Sequence, residues 1–415
     1  MLVTTAAPAT RSHPQTAPTP GRISHRAAFW TLAAILFAFM CAAAAPSPLY
    51  VVYQSRWHFS ATTLTVVFAL YALALLIALM VVGALSDHVG RRPVLIAALA
   101  AEAVAMALFV VADGVPWLLA ARAVQGLATG AATGAISAGV MDLQSGRRPG
   151  LATLVNSAGP GIGLGAGALG SGLLVEYAPA PRALVFVILG VLFLIGIVAV
   201  AVTPETARPH PGALASLRPR VGVPAGARGR FLAVVPTLVA TWAVAGLYLS
   251  LGPSLAAGIL GVRSHLIGGL VVFALMIATA TASIVLGGRG SPVLMTGGSL
   301  TLAFGLGITL VALHTGSVAL FFVGTVIAGL GFGSAFLGAF GILAGLAEPS
   351  RRAELFATVY TVNYLAFSLP AVAAGMAVSP LGLSRTADIY ASAVIAIALA
   401  SALGSIMTRK ARETS

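Results

Sequence analysis

Charge is scarce in this 415-residue sequence. Only 8% of its residues are Asp, Glu, Lys or Arg, where a soluble globular chain carries about a quarter, and so low a share excludes an ordinary soluble protein. Cysteine is nearly absent as well. The single Cys41 excludes a disulfide framework and any multi-cysteine zinc or iron–sulfur site. The seven histidines are scattered without an HExxH pair, so neither a metal centre nor a cofactor site is expected. Acids are scarcer than bases, ten against 23, leaving a formal net charge of +13. In place of charge, the chain has 59% hydrophobic residues and a mean hydropathy of +1.01. Such a composition is suited to lipid.

A transmembrane helix needs about 20 mostly apolar residues. Twelve runs of that kind are predicted: 28–49, 62–84, 93–112, 116–140, 151–175, 183–203, 231–252, 265–287, 292–312, 317–343, 354–377 and 388–407. They divide six and six around residues 204–230, a Pro-, Gly- and Arg-rich stretch too polar to span, which reads as a linker between two bundles. Residues 1–27 read as a disordered arm, and 408–415 as a short tail. The run from Arg22 to Ala45 also has features of a cleaved signal peptide. The long preceding arm and the continuation of the apolar run to Tyr50 argue against it.

The basic residues now acquire a meaning. With the N-terminus placed inside, 18 of the 23 fall in seven cytoplasmic segments and four in outside loops, and only Arg122 falls within a span. This is a strong positive-inside pattern, so both termini are expected in the cytoplasm. Nucleic-acid binding would instead need bases gathered on one face. The strong preference for Arg over Lys suggests a GC-rich genome, hence a bacterial cell (inner) membrane. Internal repetition supports the six-and-six division. GRRPGLATLVNSAG from Gly146 is echoed by SRRAELFATVYTVN from Ser350, and Gly126 and Gly130 recur 203 residues later as Gly329 and Gly333.

Motifs sharpen the reading. The loop GALSDHVGRRPVL holds Gly83, Asp87, Gly90, Arg91 and Arg92. Gly90 permits a tight turn, Pro93 suits a helix's first turn, and Asp87 can cap a helix or pair with a guanidinium. Asp142, at the inner end of the fourth span, is within plausible reach of Arg91 or Arg92. On that fourth span Arg122 precedes Gln125 and Gly126. Together these resemble two signature motifs of the major facilitator superfamily, the loop between the second and third spans and the arginine-bearing fourth span. The resemblance implies an all-α fold of twelve transmembrane helices in two pseudo-symmetric six-helix bundles. It implies alternating access without covalent chemistry, a latch at the loop, and a role in proton coupling for the fourth-span arginine. The equivalent loop of the second half, GGRGSP from Gly287, has no aspartate, so a latch would be one-sided.

Glu102 is the only acid well inside a span, and intramembrane carboxylates mark proton or ion pathways. It is expected to be the protonation site or the counter-charge of Arg122, with a structural hydrogen bond as the plain alternative. The fifth span carries Gly159, Pro160, Gly163, Gly167 and Ser171, a four-residue small-side-chain stripe that lets helices approach. It also resembles the family's antiporter motif, with Gly159-Pro160 and Gly167-Ala168 as competing registers. Gly165, Gly167 and Gly170 satisfy GxGxxG, but no strand precedes them, which excludes dinucleotide binding. Candidate cavity residues are Asn156, Trp242, Tyr248, Tyr360, Asn363, Tyr364 and Phe367, the last four sharing one helical face. Tyr50, Tyr53 and Tyr248 lie near span ends, where aromatics commonly form interfacial belts. These features predict a monomeric, proton-coupled exporter of small hydrophobic or drug-like compounds rather than an enzyme. A metabolite permease, importer or uniporter, is the alternative, and a membrane sensor or enzyme fits less well. The expected partners are a small-molecule substrate, protons and the lipid bilayer.

Overall fold

The computed structural model describes residues 22–145, 150–209, 211–219, 221–262, 264–287, 291–346 and 352–413. Arg147, Arg148, Arg289 and Arg351, most of the N-terminal arm and the final two residues lie outside them.

The described chain is helical throughout: α1 (His25–Ala44), α2 (Pro46–Trp57), α3 (Ala61–Val82), α4 (Leu85–Val89), α5 (Arg91–Val110), α6 (Val115–Asp142), α7 (Leu151–Tyr177), α8 (Leu184–Ala201), α9 (Ala213–Ser216), α10 (Arg228–Ser250), α11 (Gly252–Gly258), α12 (His265–Leu286), α13 (Ser291–Thr315), α14 (Val318–Leu346), α15 (Arg352–Leu381) and α16 (Leu383–Glu413). Eleven helical stretches among the described residues are long and apolar enough to cross a membrane, with α1 and α2 forming one of them. α6 has 28 residues but is not among the eleven. Arg122, Gln125 and its glycines and threonines dilute its hydropathy.

Local chemistry explains the ends. Ser24 and Ser60 cap α1 and α3, their side chains accepting from the backbone N–H of Ala27 and Thr63 at 3.2 Å each. The expected span 28–49 lies within one membrane-length stretch, His25–Trp57, in which only the junction at Ala45 separates α1 from α2 while keeping helical dihedrals. Pro46 opens α2, because a proline lacks the N–H needed to continue the helix but suits a first turn. The second half repeats this device at Leu251, where Gly252 and Pro253 open α11. The disordered reading of 1–27 is corrected at its end, since residues 25–27 already belong to α1.

α1, α3, α5, α6 and α8 pack mainly within the first half, and α10, α13, α14 and α16 within the second; the halves meet chiefly along α7–α12 and α3–α15. Glycines set the closest approaches. A Cβ on Gly126 or Gly130 of α6 would strike the backbone of α3 at Tyr71 or Leu75, and one on Gly329 or Gly333 of α14 would strike α12 at Leu275 or Thr279. The repeated glycines therefore make the same helix–helix contact twice. On α7, Gly163 and Gly167 abut α1 at Met40 and Cys41, whereas Gly161, Gly165 and Gly172 abut α12. Ser171 donates to the Ala45 carbonyl at 2.6 Å. The stripe thus serves packing on two faces, one of them the seam between the halves.

Residues 204–230 are more than the plain linker expected of them. They include α9 and a 3₁₀ turn at Ala225–Ala227, and they dock on both sides. α9 lies against α4, and Gly222 donates its N–H to Thr358 Oγ1 on α15 at 3.0 Å.

Candidate functional site

The loop before α5 is more elaborate than its motif. Gly90 has φ +100°, a region that side-chain-bearing residues rarely adopt, and it turns the chain into α5. Arg91 reaches Asp142 Oδ2 at 2.9 Å and Asp87 Oδ1 at 3.7 Å, so it bridges the ends of α4 and α6. Arg92 donates to the carbonyl of Ala201 at the end of α8. Asp87 does not cap the helix, contrary to one expectation. Glu205 does so instead: its carboxylate accepts the backbone N–H groups of Arg91 at 2.8 Å and Arg92 at 3.0 Å. α5 has no acid in its own first turn, and Glu205 supplies the negative charge that a helix N-terminus favours. Sequence reasoning misses Glu205 because it sits more than a hundred positions away in the supposed linker. The only local signal is an isolated acid just after a span.

Arg122, Gln125 and Glu102 are all 0% exposed, so Arg122 faces the interior rather than reaching outward. Its guanidinium donates to the Tyr50 hydroxyl from Nε at 2.9 Å and from Nη2 at 2.6 Å. From Nη1 it donates to the Ala43 carbonyl at 3.0 Å and to Gln125 Oε1 at 2.7 Å. Its carbon Cζ also lies 5.0 Å from the Tyr71 ring centre, within cation–π range. Gln125 in turn donates to Glu102 Oε1 at 3.2 Å and to the Ala42 carbonyl at 2.9 Å. The expected direct Glu102–Arg122 ion pair is therefore replaced by a relay through an amide. Glu102 Oε2 has no hydrogen-bond partner. Tyr50, near the end of its expected span, is fully buried and its hydroxyl meets this network from α2. Gly126, one position beyond Gln125, allows α6 to reach α3.

The second-half candidates separate into two groups. Trp242, Tyr364 and Phe367 come together: the Trp242 ring centre is 5.2 Å from Tyr364, 5.8 Å from Phe367 and 6.1 Å from Phe336. Phe68 of α3 completes the cluster from the first half, 4.7 Å from Phe367. Tyr360 adjoins Tyr364 at 6.5 Å, and Tyr364 also packs against the cluster of Ala43, Tyr71 and Leu75, linking the rings to the neighbourhood of Arg122. Tyr248 is elsewhere, a correction to its expected place in the cavity. Its hydroxyl hydrogen-bonds to Thr309 at 3.3 Å and Thr325 at 3.1 Å, inside a contact of α10 with α13 and α14. Asn156 donates to the Ser137 carbonyl of α6 at 3.2 Å and belongs to the α6–α7 seam. A Cβ on Gly159 would lie 3.5 Å from Leu36, and Pro160 is inside α7, so both sit with the packing stripe.

Asn363 is 0% exposed, and neither atom of its amide has a partner; the same holds for Trp242 Nε1. Two apolar grooves, of about 670 and 400 Å³, lie elsewhere, one among α13, α14 and α16 and the other along the α3–α15 seam. The clusters that carry polar chemistry are thus the two buried ones.

Comparison with known proteins bears on the family and the fold. The sequence model described as Major Facilitator Superfamily matches residues 31–293, more than half of the chain. No curated protein sequence matches at a significant level. Among solved structures, the chain is similar to a mutant form of the nucleoside transporter NupG, with a TM-score of 0.70 and 13% identity, over 91% of this chain and 99% of that one. At that identity the likeness is one of fold.

Proposed function

Because the chain belongs to the major facilitator superfamily, we propose that it is a small-molecule permease working by alternating access, with two helical halves rocking about a site between them. It is a multi-pass membrane protein and a transporter rather than an enzyme. The observation that carries the permease reading is the aromatic cluster of Trp242, Phe336, Tyr364 and Phe367 with Phe68. Both halves contribute to it, and its unpartnered polar atoms, on Trp242 and Asn363, are neutral. Efflux of lipophilic cations would be better served by a carboxylate facing the rings. Glu102 is instead engaged with Gln125. The nucleoside transporter of like fold agrees with a permease of neutral solutes.

In this reading α6 is the twelfth span, residues 28–203 and 231–407 are the two bundles, and 204–230 joins them on the cytoplasmic side. The 18 basic residues on that side support cytoplasmic termini in a bacterial cell membrane, with the monomer as the working unit. Glu102, Gln125 and Arg122 couple transport to protons, and Asp87, Arg91 and Asp142 steady one conformation. That buried relay also favours a second reading, proton-coupled efflux of drug-like compounds.

Flux in proteoliposomes separates the two. A panel of radiolabelled neutral metabolites and lipophilic cations is assayed in both protein orientations, with and without a pH gradient. The permease reading expects exchange of a neutral solute without any gradient. Extrusion of cations, with no exchange of any neutral solute, would overturn it in favour of efflux.

A further inference from the structure

Two helices of the second half meet at one point. A Cβ on Gly246 of α10 would strike the Phe367 carbonyl of α15, and on the side nearer their starts Phe231, Val234 and Leu238 of α10 share one hydrophobic cluster with Leu355 and Val359 of α15. The helices therefore run in the same direction. One turn before this crossing, α10 carries Trp242 and α15 carries Asn363, so the two lie at the same level. Both have buried polar atoms without a partner: the indole Nε1–H, which can only donate, and the whole carboxamide, which can donate and accept. A buried amide left unmade is costly, and most buried polar groups find partners. Two such orphans at one level, beside the seam between moving halves, are groups whose partner arrives from outside the chain.

Resting on the transporter reading, we propose that Trp242 and Asn363 form the specificity site, and that it selects uncharged, flat heteroaromatic compounds carrying an amide-like edge, an N–H beside a C=O. The carboxamide of Asn363 presents a donor and an acceptor in one plane, which matches such an edge in a paired contact, as asparagine does with a base edge. Trp242 Nε1–H supplies a further donor for a ring oxygen or nitrogen. Phe68, Tyr364 and Phe367 offer faces and edges on which a flat ring packs. Arg122 is held by Tyr50, Ala43 and Gln125, so the site has no free guanidinium for an anionic substrate.

Binding is measured calorimetrically on the purified full chain with uridine, hypoxanthine and quinolin-2-one. Their N-methylated counterparts, which lack the edge N–H, and tetraphenylphosphonium are measured alongside. At least one edge-bearing compound is expected to bind, and N-methylation or Asn363→Leu is expected to weaken it at least tenfold. The N-methyl comparison uses the unmodified protein, so the proposal remains testable if the variant fails to fold. Binding indifferent to N-methylation, binding of tetraphenylphosphonium tighter than every edge-bearing compound, or no binding of any of the three would overturn it. Counterflow in proteoliposomes separates this inference from its premise. A compound bound through Asn363 but never exchanged would remove the transporter reading and leave the site; exchange that ignores N-methylation would do the reverse.

Discussion

The two halves of this chain share a packing scheme and differ in what they bury. Gly126 and Gly130 bring α6 onto α3, and Gly329 and Gly333 bring α14 onto α12 by the same contacts. At the position equivalent to Arg122, the second half has Thr325. Around Arg122 lies a charged network of Tyr50, Gln125 and Glu102. Thr325 has only neutral partners, donating to the Phe321 carbonyl and hydrogen-bonding to the Tyr248 hydroxyl, which in turn meets Thr309. Repetition therefore preserved the backbone approach, which depends on small residues, and left the buried chemistry free to diverge. In the proposed transporter, the first half handles protons and the second reads the substrate.

That division can be broken most directly at its charged side. Glu102→Gln is expected to reduce proton-driven flux to background while exchange without a gradient persists, and Thr325→Val is expected to leave both intact. Coupled flux that survives in Glu102→Gln proteoliposomes would remove Glu102 from the mechanism. Packing should show the opposite, symmetric behaviour. Gly126→Val and Gly329→Val each overpack a helix crossing and should destabilise by about 1–3 kcal/mol, read as comparable drops in thermal midpoint. A tolerated substitution in one half alone would contradict the shared scheme.

The tyrosines sharpen the contrast further. Tyr50→Phe removes the acceptor of two guanidinium hydrogen bonds, an effect on the order of 1.5–3 kcal/mol. Tyr248→Phe removes only neutral hydroxyl contacts, at about 0.5–1.5 kcal/mol. Equal losses in thermal unfolding would show that charge is not what distinguishes the halves. The smallest expected effect is at the loop. Glu205→Ala deletes the cap of α5, a change of about 1 kcal/mol, and should speed amide hydrogen exchange at Arg91 and Arg92. Unchanged exchange there would deny Glu205 its capping role.

Much of the fold is legible because membrane helices declare themselves over short windows. The same holds for contacts within one loop or helix face: Asp87 with Arg91, and Arg122 with Gln125, are four and three positions apart. Asn363, Tyr364 and Phe367 can likewise be put on one face from spacing alone. Tyr50 escapes such reasoning because position near a span end does not reveal that its hydroxyl meets Arg122, 72 positions away. Glu205 escapes it because its partners are residues 91 and 92. Tyr248 is wrongly grouped with the cavity since aromatic content alone does not tell which side of α10 faces the seam.

By itself, then, the sequence determined the solvent this protein is built for, the run of its helices, the duplication of its halves and the motif residues of its family. All of these follow from composition and from interactions a few residues apart. Tertiary structure alone decided that Gln125 stands between Glu102 and Arg122, that Glu205 closes the loop at Gly90, and that the unpartnered groups of Trp242 and Asn363 lie at one level. Those pairings join residues 23 to more than a hundred positions apart, across helices whose relative rotation and depth are set by glycine contacts, and no local pattern encodes that geometry.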